Sequence, residues 1–118
     1  SVDLPMNMVV DALEHFYRVE ESYPGSKYAE AAKDYIVRCR KLLAEHELFI
    51  ADFYWRTERY GSAWKRYQYV VDNFQDLPKI TEYARKRAEY SYYEFQKTVS
   101  AEERARIYGS WKQWFDWL

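Results

Sequence analysis

The chain has 118 residues, of which 48% are hydrophobic and 31% charged, and its formal net charge is −1. That length suits a single domain, the composition supports a packed core rather than disorder, and the near-zero charge excludes the basic field that nucleic acid or an anionic bilayer would require. Aromatic residues reach 20%, with 13 Tyr and 5 Trp, and such side chains suit half-wet grooves and interfaces. Only 3 Gly and 3 Pro are available to turn the backbone, which points to an all-α fold. The lone cysteine, Cys39, excludes an internal disulfide and a zinc-ligand spacing. It reads as a small buried hydrophobe. No apolar run approaches the ~20 residues needed to cross a bilayer, and no signal peptide is present. The abrupt Ser1-Val2-Asp3-Leu4-Pro5 start reads as that of a mature or excised fragment whose targeting segment is missing.

A first helix is predicted from Pro5 or Met6 to Ser22, with Val9, Leu13, Phe16 and Tyr17 inward and Ala12 as a small contact point. Pro5 fits a first turn, where its missing N–H costs nothing. Tyr23-Pro24-Gly25 ends the helix, because the residue before a proline avoids helical backbone and Gly25 can take a positive φ. Ser26 then stands as N-cap of a long helix over residues 27–59. Its apolar face is predicted to run through Tyr28, Ala32, Tyr35, Ile36, Cys39, Leu42, Leu43, His46, Ile50, Phe53 and Tyr54. A break at Arg59–Gly61 leads to a third helix over 62–74, with Ala63, Tyr67, Val70, Val71 and Phe74 inward. After a turn to Pro78, a fourth helix is expected over 79–98. The Ser100-Ala-Glu-Glu103 string matches a capping box and predicts a fifth helix over 101–117.

The tetratricopeptide repeat, a helix–turn–helix of about 34 residues, places small and aromatic residues where two helices meet closely. With Ala44 as its first residue, Ala51, Tyr54, Tyr60, Ala63 and Tyr67 fall on its small and aromatic positions, while Gln75 stands where a proline is common. Ala12, Phe16 and Pro24 keep the spacing of the second half of an earlier repeat. The next repeat begins near Lys27, about 17 residues before the clear register. Its first helix is therefore extended backwards, which makes the long rod. The expected architecture is a tetratricopeptide-type solenoid of about five helices forming one domain, the C-terminal repeats of a longer protein.

Three stretches, YPGSKYAEAA at 23–32, LAEHELFIADFYWR at 43–56 and YGSAWKRYQYVVDNF at 60–74, resemble the C-terminal half of the BamD family of outer-membrane β-barrel assembly lipoproteins. Asp3 fits an Asp-containing loop of that family. The resemblance implies an all-helical repeat scaffold on the periplasmic face of the outer membrane. It also implies partners: the periplasmic domain of the barrel subunit and accessory lipoproteins. In the family the lipid sits on an N-terminal cysteine, which Cys39 does not match, so membrane attachment would come only through an anchor absent from this chain. The family's arginine facing the barrel subunit falls on Arg66. The terminal GSWKQWFDWL has no recognised counterpart. The alternative is another repeat adaptor, periplasmic or cytoplasmic, that binds a peptide.

Nothing in the sequence carries a catalytic constellation. His46 lies in Glu45-His46-Glu47 without a metal-binding spacing and reads as a packed, hydrogen-bonded residue; His15 reads as solvated. No phosphate loop, nucleophile elbow, metal set or cofactor motif is present. The repeat register puts Glu45, Leu48, Asp52, Trp55 and Arg56 on the concave face. Trp beside Arg is a favourable binding pair, because both bury large area and still hydrogen-bond. Trp55 has two readings, an exposed anchor or a residue packed on a neighbouring helix. Trp111, Trp114 and Phe115 share a face with Leu118, off which Trp117 lies; this end is either a solenoid cap or an anchor for a partner or membrane interface. Arg85-Lys86-Arg87 reads as a solvated, internally paired face. The candidate binding residues are thus Asp52, Trp55, Arg56, Arg66, Trp111 and Trp114.

Overall fold

The structure, a computed structural model, describes residues 4–117 of the chain. Asp3 and Leu118, named above, lie outside the described residues, as does the side chain of Trp117. The described residues form four helices, α1 (Met6–Ser22), α2 (Lys27–Arg56), α3 (Tyr60–Asn73) and α4 (Pro78–Trp117). Ser26 caps α2 as expected, its Oγ accepting from the Ala29 N–H at 3.1 Å. The same hydroxyl donates to the Tyr23 carbonyl at 2.6 Å, and Gly25 supplies the positive φ of 77° that the corner needs.

The rod is unbroken, and it serves two partners. Its first half packs on α1 through Ile36 and Cys39 against Val9 and Leu13, with Met6, Ala12 and Phe16 around them. Phe16 stacks on Tyr35 at 5.0 Å. Its second half meets α3 and α4 through Ala44 and Ala51, which pack with Ala63, Tyr67, Val70, Phe74, Ala84 and Ala88. Leu43 touches both clusters. Because α1 and α3 lie on different sides of α2, the buried stripe shifts sideways at mid-helix. This is why the single face read from the sequence fails for His46, which is exposed, and for Tyr28, Tyr35, Leu42 and Phe53. Tyr17 of α1 is likewise exposed.

A polar clasp ties the rod to the far turn. Arg40 donates to both carboxylate oxygens of Asp76, at 2.6 and 2.7 Å, and to the Asn73 carbonyl at 2.6 Å, while its guanidinium lies 5.0 Å from the Phe74 ring centre. It thereby satisfies one of the orphan carbonyls at the end of α3. The Thr81 hydroxyl donates to the Phe74 carbonyl at 2.6 Å and helps close the same turn.

Two local expectations change. The break between α2 and α3 falls at residues 57–59, with a positive φ at Glu58 (60°), and Gly61 is already inside α3. Gly61 is needed for closeness instead: a Cβ there would stand 2.9 Å from the Phe95 ring. The fourth and fifth helices are one continuous helix of 40 residues. No Gly or Pro separates Pro78 from Gly109, and the Glu94–Lys97 and Glu103–Arg106 pairs stitch the helix on both sides of Ser100. With the backbone before Ser100 already helical, the N–H groups a capping box would satisfy are taken by the helix itself. From Gln96 to Asp116 every residue is exposed, so α4 overhangs the bundle by roughly 30 Å at 1.5 Å per residue. The molecule is accordingly 82 Å long and 24 Å wide.

Gly61→Ala is expected to destabilise the chain by about 1 kcal/mol, overpacking against Phe95 outweighing the ~1 kcal/mol helix gain of Ala over Gly. In a Phe95→Ala background the same substitution should become stabilising, and urea unfolding of the four variants would show or refute that reversal of sign. The Asp76 carboxyl is held below its usual range, chiefly by the bonds from Arg40. Its contribution is therefore present at neutral pH and is lost as pH falls through that lowered folded-state value. Asp76→Asn should flatten the acid side of the stability–pH curve, measured by thermal unfolding from neutral pH downwards.

Candidate docking site

The predicted site residues do not form one surface. Asp52 and Trp55 lie on the side of α2 that looks toward α4. The Asp52 Oδ1 accepts from the Tyr67 hydroxyl in a short hydrogen bond and from the Tyr83 hydroxyl at 2.9 Å. Tyr67 is fully buried. Burial, reinforced by the bond to Asp52, pushes its hydroxyl far above the usual phenol value, and the same causes in the same order raise Tyr83. Both phenols therefore stay protonated as donors. Asp52 is thus a strut between helices, its Oδ1 already committed, rather than a free docking charge.

Trp55 settles on the packed reading. It is half-buried, edge-on to Tyr60 at 5.2 Å, with the Arg87 guanidinium 5.2 Å from its ring centre. Arg87 also lies 5.4 Å from the Tyr83 ring. The cation is thus held between two aromatic faces, an arrangement worth about 0.5–2 kcal/mol depending on exposure. Arg56 is exposed at the end of α2 beside this layer. The sequence named one cation there; Arg87, missed because it was read as part of a solvated basic run, is the one that covers Trp55.

Arg66 belongs to a different surface, an open groove of about 410 Å³ between α2 and α3, lined by Glu47, Tyr54, Ser62, Lys65, Arg66 and Tyr69. Its Nη1 donates to Glu47 Oε2 at 2.9 Å, the carboxylate being largely buried and the arginine more open. Glu47 therefore orients the guanidinium from below. With Lys65 alongside, two cations face one carboxylate, so the groove carries one net positive charge among two tyrosine rings. Glu47 and Lys65 were missed because the period of a single helix says nothing about which charges meet across a helical hairpin. Trp111 and Trp114 stand together with Phe115 in a third place, far out on the overhang of α4. Trp111 meets Trp114 edge-on at 6.2 Å, and Trp114 meets Phe115 at 5.2 Å. They cap nothing: both tryptophans are more than half exposed.

Among the described residues no cluster of three metal-ligating side chains occurs, and no helix is long and apolar enough to cross a membrane. Cys39 is buried, and burial pushes its thiol up, away from the reactive thiolate.

Removing the strut has a measurable cost. Asp52→Ala leaves the Tyr67 hydroxyl buried without its acceptor and should destabilise the chain by about 2–3 kcal/mol, whereas Asp52→Asn, which keeps one acceptor oxygen, should lose less. Equal losses in urea unfolding would remove the hydrogen-bond account.

Comparison with known proteins bears on these surfaces. Residues 3–107 match the family model YfiO, described as outer membrane lipoprotein. Over 86 residues the chain is 35% identical to the outer membrane protein assembly factor BamD of Vibrio cholerae serotype O1, a match covering 73% of this chain and 34% of that protein. The chain thus spans about a third of the length of the curated relative it matches. All three surfaces lie on helices of the matched range, except that Trp111 and Trp114 stand beyond its end. With the all-helical repeat architecture and a match over most of its length, this chain belongs to the YfiO family of outer membrane lipoproteins.

Proposed function

We propose that this chain is a non-catalytic docking scaffold for outer-membrane protein assembly, and that the α2–α3 groove around Arg66 is its principal contact. The observation that carries this reading is the arrangement of Arg66. Its guanidinium is oriented by Glu47, flanked by Lys65 and rimmed by Tyr54 and Tyr69. Such a groove fits a protein partner that brings a carboxylate to the two cations and apolar atoms to the two rings. Arginine with tyrosine is a pairing in which binding energy concentrates. Family membership supports the biological setting: the partner is the periplasmic domain of the barrel subunit or an accessory lipoprotein, met at the periplasmic face of the outer membrane. Arg56 and the Trp55–Arg87 layer form the lip of an adjoining contact, with Asp52 keeping that layer in place. Trp111 and Trp114 form a separate docking surface on the overhang.

The test is a binding measurement with the barrel subunit's periplasmic domain. Arg66→Glu sets a carboxylate against Glu47 and against an acidic partner, and should weaken binding at least tenfold, about 1.4 kcal/mol or more. Lys65→Ala should weaken it only a few-fold, with most of its loss in the association rate. Unchanged affinity for Arg66→Glu, with an unchanged helical circular-dichroism spectrum, would remove the groove from the account.

A further inference from the structure

On α4 the residues Tyr90, Tyr93, Ile107, Trp111 and Trp114 are all exposed, between 47% and 64%. They fall in one alternation of steps of three and four, a heptad seam, with Lys97, Ser100 and Arg104 filling its intervening places. Ala84, Ala88 and Ser91, which are buried, lie half a turn away around the helix. The seam is therefore the face of α4 turned away from α3. From Tyr90 to Trp114 it runs roughly 36 Å at 1.5 Å per residue, across the supported half of the helix and out along the overhang. We propose that the occupant of this face is a second copy of the same chain, lying antiparallel along α4 about a two-fold axis near residues 98 and 99.

Charge selects both the partner and its direction. A parallel pairing sets Lys97 and Arg104 each against its own copy, in the seam, where like charges repel. The antiparallel pairing brings Arg104 of one copy to Tyr93 of the other, Tyr90 to Ile107, and Lys97 to Ser100. One step further out Lys86, on the same seam, meets Trp111. Arg104 and Lys86 then each face an aromatic ring of the other copy, and Lys97, which already lies 5.0 Å from the Tyr93 ring of its own chain, faces a hydroxyl, the arrangement that favours cation–π contact over repulsion. The face is thus complementary to itself, as a two-fold interface requires. Trp114 meets Tyr83, the seam position seven residues before Tyr90, so the bundles of the two copies lie at opposite ends of the pair. The strip is about 10 Å wide, which puts the contact below the usual size of stable interfaces and predicts a weak association that depends on concentration. A lipid surface fits less well. Around the overhang Glu102, Glu103 and Asp116 offset all but one of the four cations Lys97, Arg104, Arg106 and Lys112, whereas interfacial helices are rich in cations on their polar face.

This inference rests on Trp111 and Trp114 being a docking surface and is independent of the Arg66 groove. Sedimentation equilibrium of the 118-residue chain should show its 14.5 kDa mass doubling as concentration rises. The Tyr93→Glu, Trp111→Glu double variant should stay monomeric with an unchanged helical spectrum, since both side chains are exposed. In a Cys39→Ala background, Tyr93→Cys chains mixed with Arg104→Cys chains should form the mixed disulfide, and neither chain should crosslink efficiently to itself. A chain monomeric at every concentration overturns the proposal, as does a dimer that survives the double variant or a preference for self-crosslinks. Binding of a monomeric chain to phosphatidylethanolamine–phosphatidylglycerol vesicles would likewise overturn it and assign the seam to lipid. Arg66→Glu should dimerise as the parent does, so that loss of partner binding and loss of dimerisation remain separate results.

Discussion

The Tyr67 hydroxyl is the constraint on which the meeting of three helices depends. The ring is wholly buried among alanines of α2, α3 and α4, which let the helices approach closely around it. A phenol so placed needs an acceptor, because a buried hydroxyl without one costs about 1–3 kcal/mol. Asp52 supplies it from α2 and at the same time accepts from Tyr83 on α4. One carboxylate therefore links the second half of α2 to the beginning of α4, two helices that otherwise touch little, and Arg87, stacked between Tyr83 and Trp55, extends the same layer to the surface. The shape of the α2–α4 face follows from satisfying one buried donor.

Because α2 is shared, its two halves obey different neighbours. The first half and α1 make a helical hairpin closed by the Ser26 corner. The second half and α3 make another, and Arg40 reaches from the first to the turn that ends the second. A rod used in this way cannot keep one inner face. The shift of its buried stripe at mid-helix exposes His46 and leaves Glu47, on the α3 side, in position to hold Arg66. The Arg66 groove is thus a product of the extended rod: the side of α2 that α1 would need is given over to α3.

What was legible in the sequence was local. The bounds of α1, the Gly25–Ser26 corner and the inward Ala63, Tyr67, Val70 and Phe74 follow from caps, positive φ and helical period, which act within a few residues. The repeat register located the buried alanines because it encodes close helix contact. Three things were not legible. Ser100-x-x-Glu103 has the composition of a cap, but a cap forms only where the preceding backbone leaves the helix, and neither Gly nor Pro is present there to make it do so. The corner at Glu58 takes a left-handed conformation in a residue that seldom adopts one, while the nearby Gly61 is used for its small size. The Glu47–Arg66 and Asp52–Tyr83 contacts join residues on different helices, and the pattern along one helix does not contain them.

The continuity of α4 has the wider consequence. A helix that turned back at Ser100 would lay its aromatic end over the open side of α3 and α4, and that end would be consumed as core. Running straight, α4 keeps one flank against α3 and leaves the opposite flank bare from Lys86 to Trp114. Trp111, Trp114 and Tyr93 then join in a single strip instead of dividing between a cap and a surface. The Arg66 groove lies on the far side of α3 from that strip, between α2 and α3. A protein seated in the groove and one lying along α4 would approach from different directions, so occupation of one leaves the other open. Two faces separated in this way are what the proposed docking and the proposed pairing would each need in order to operate without competing.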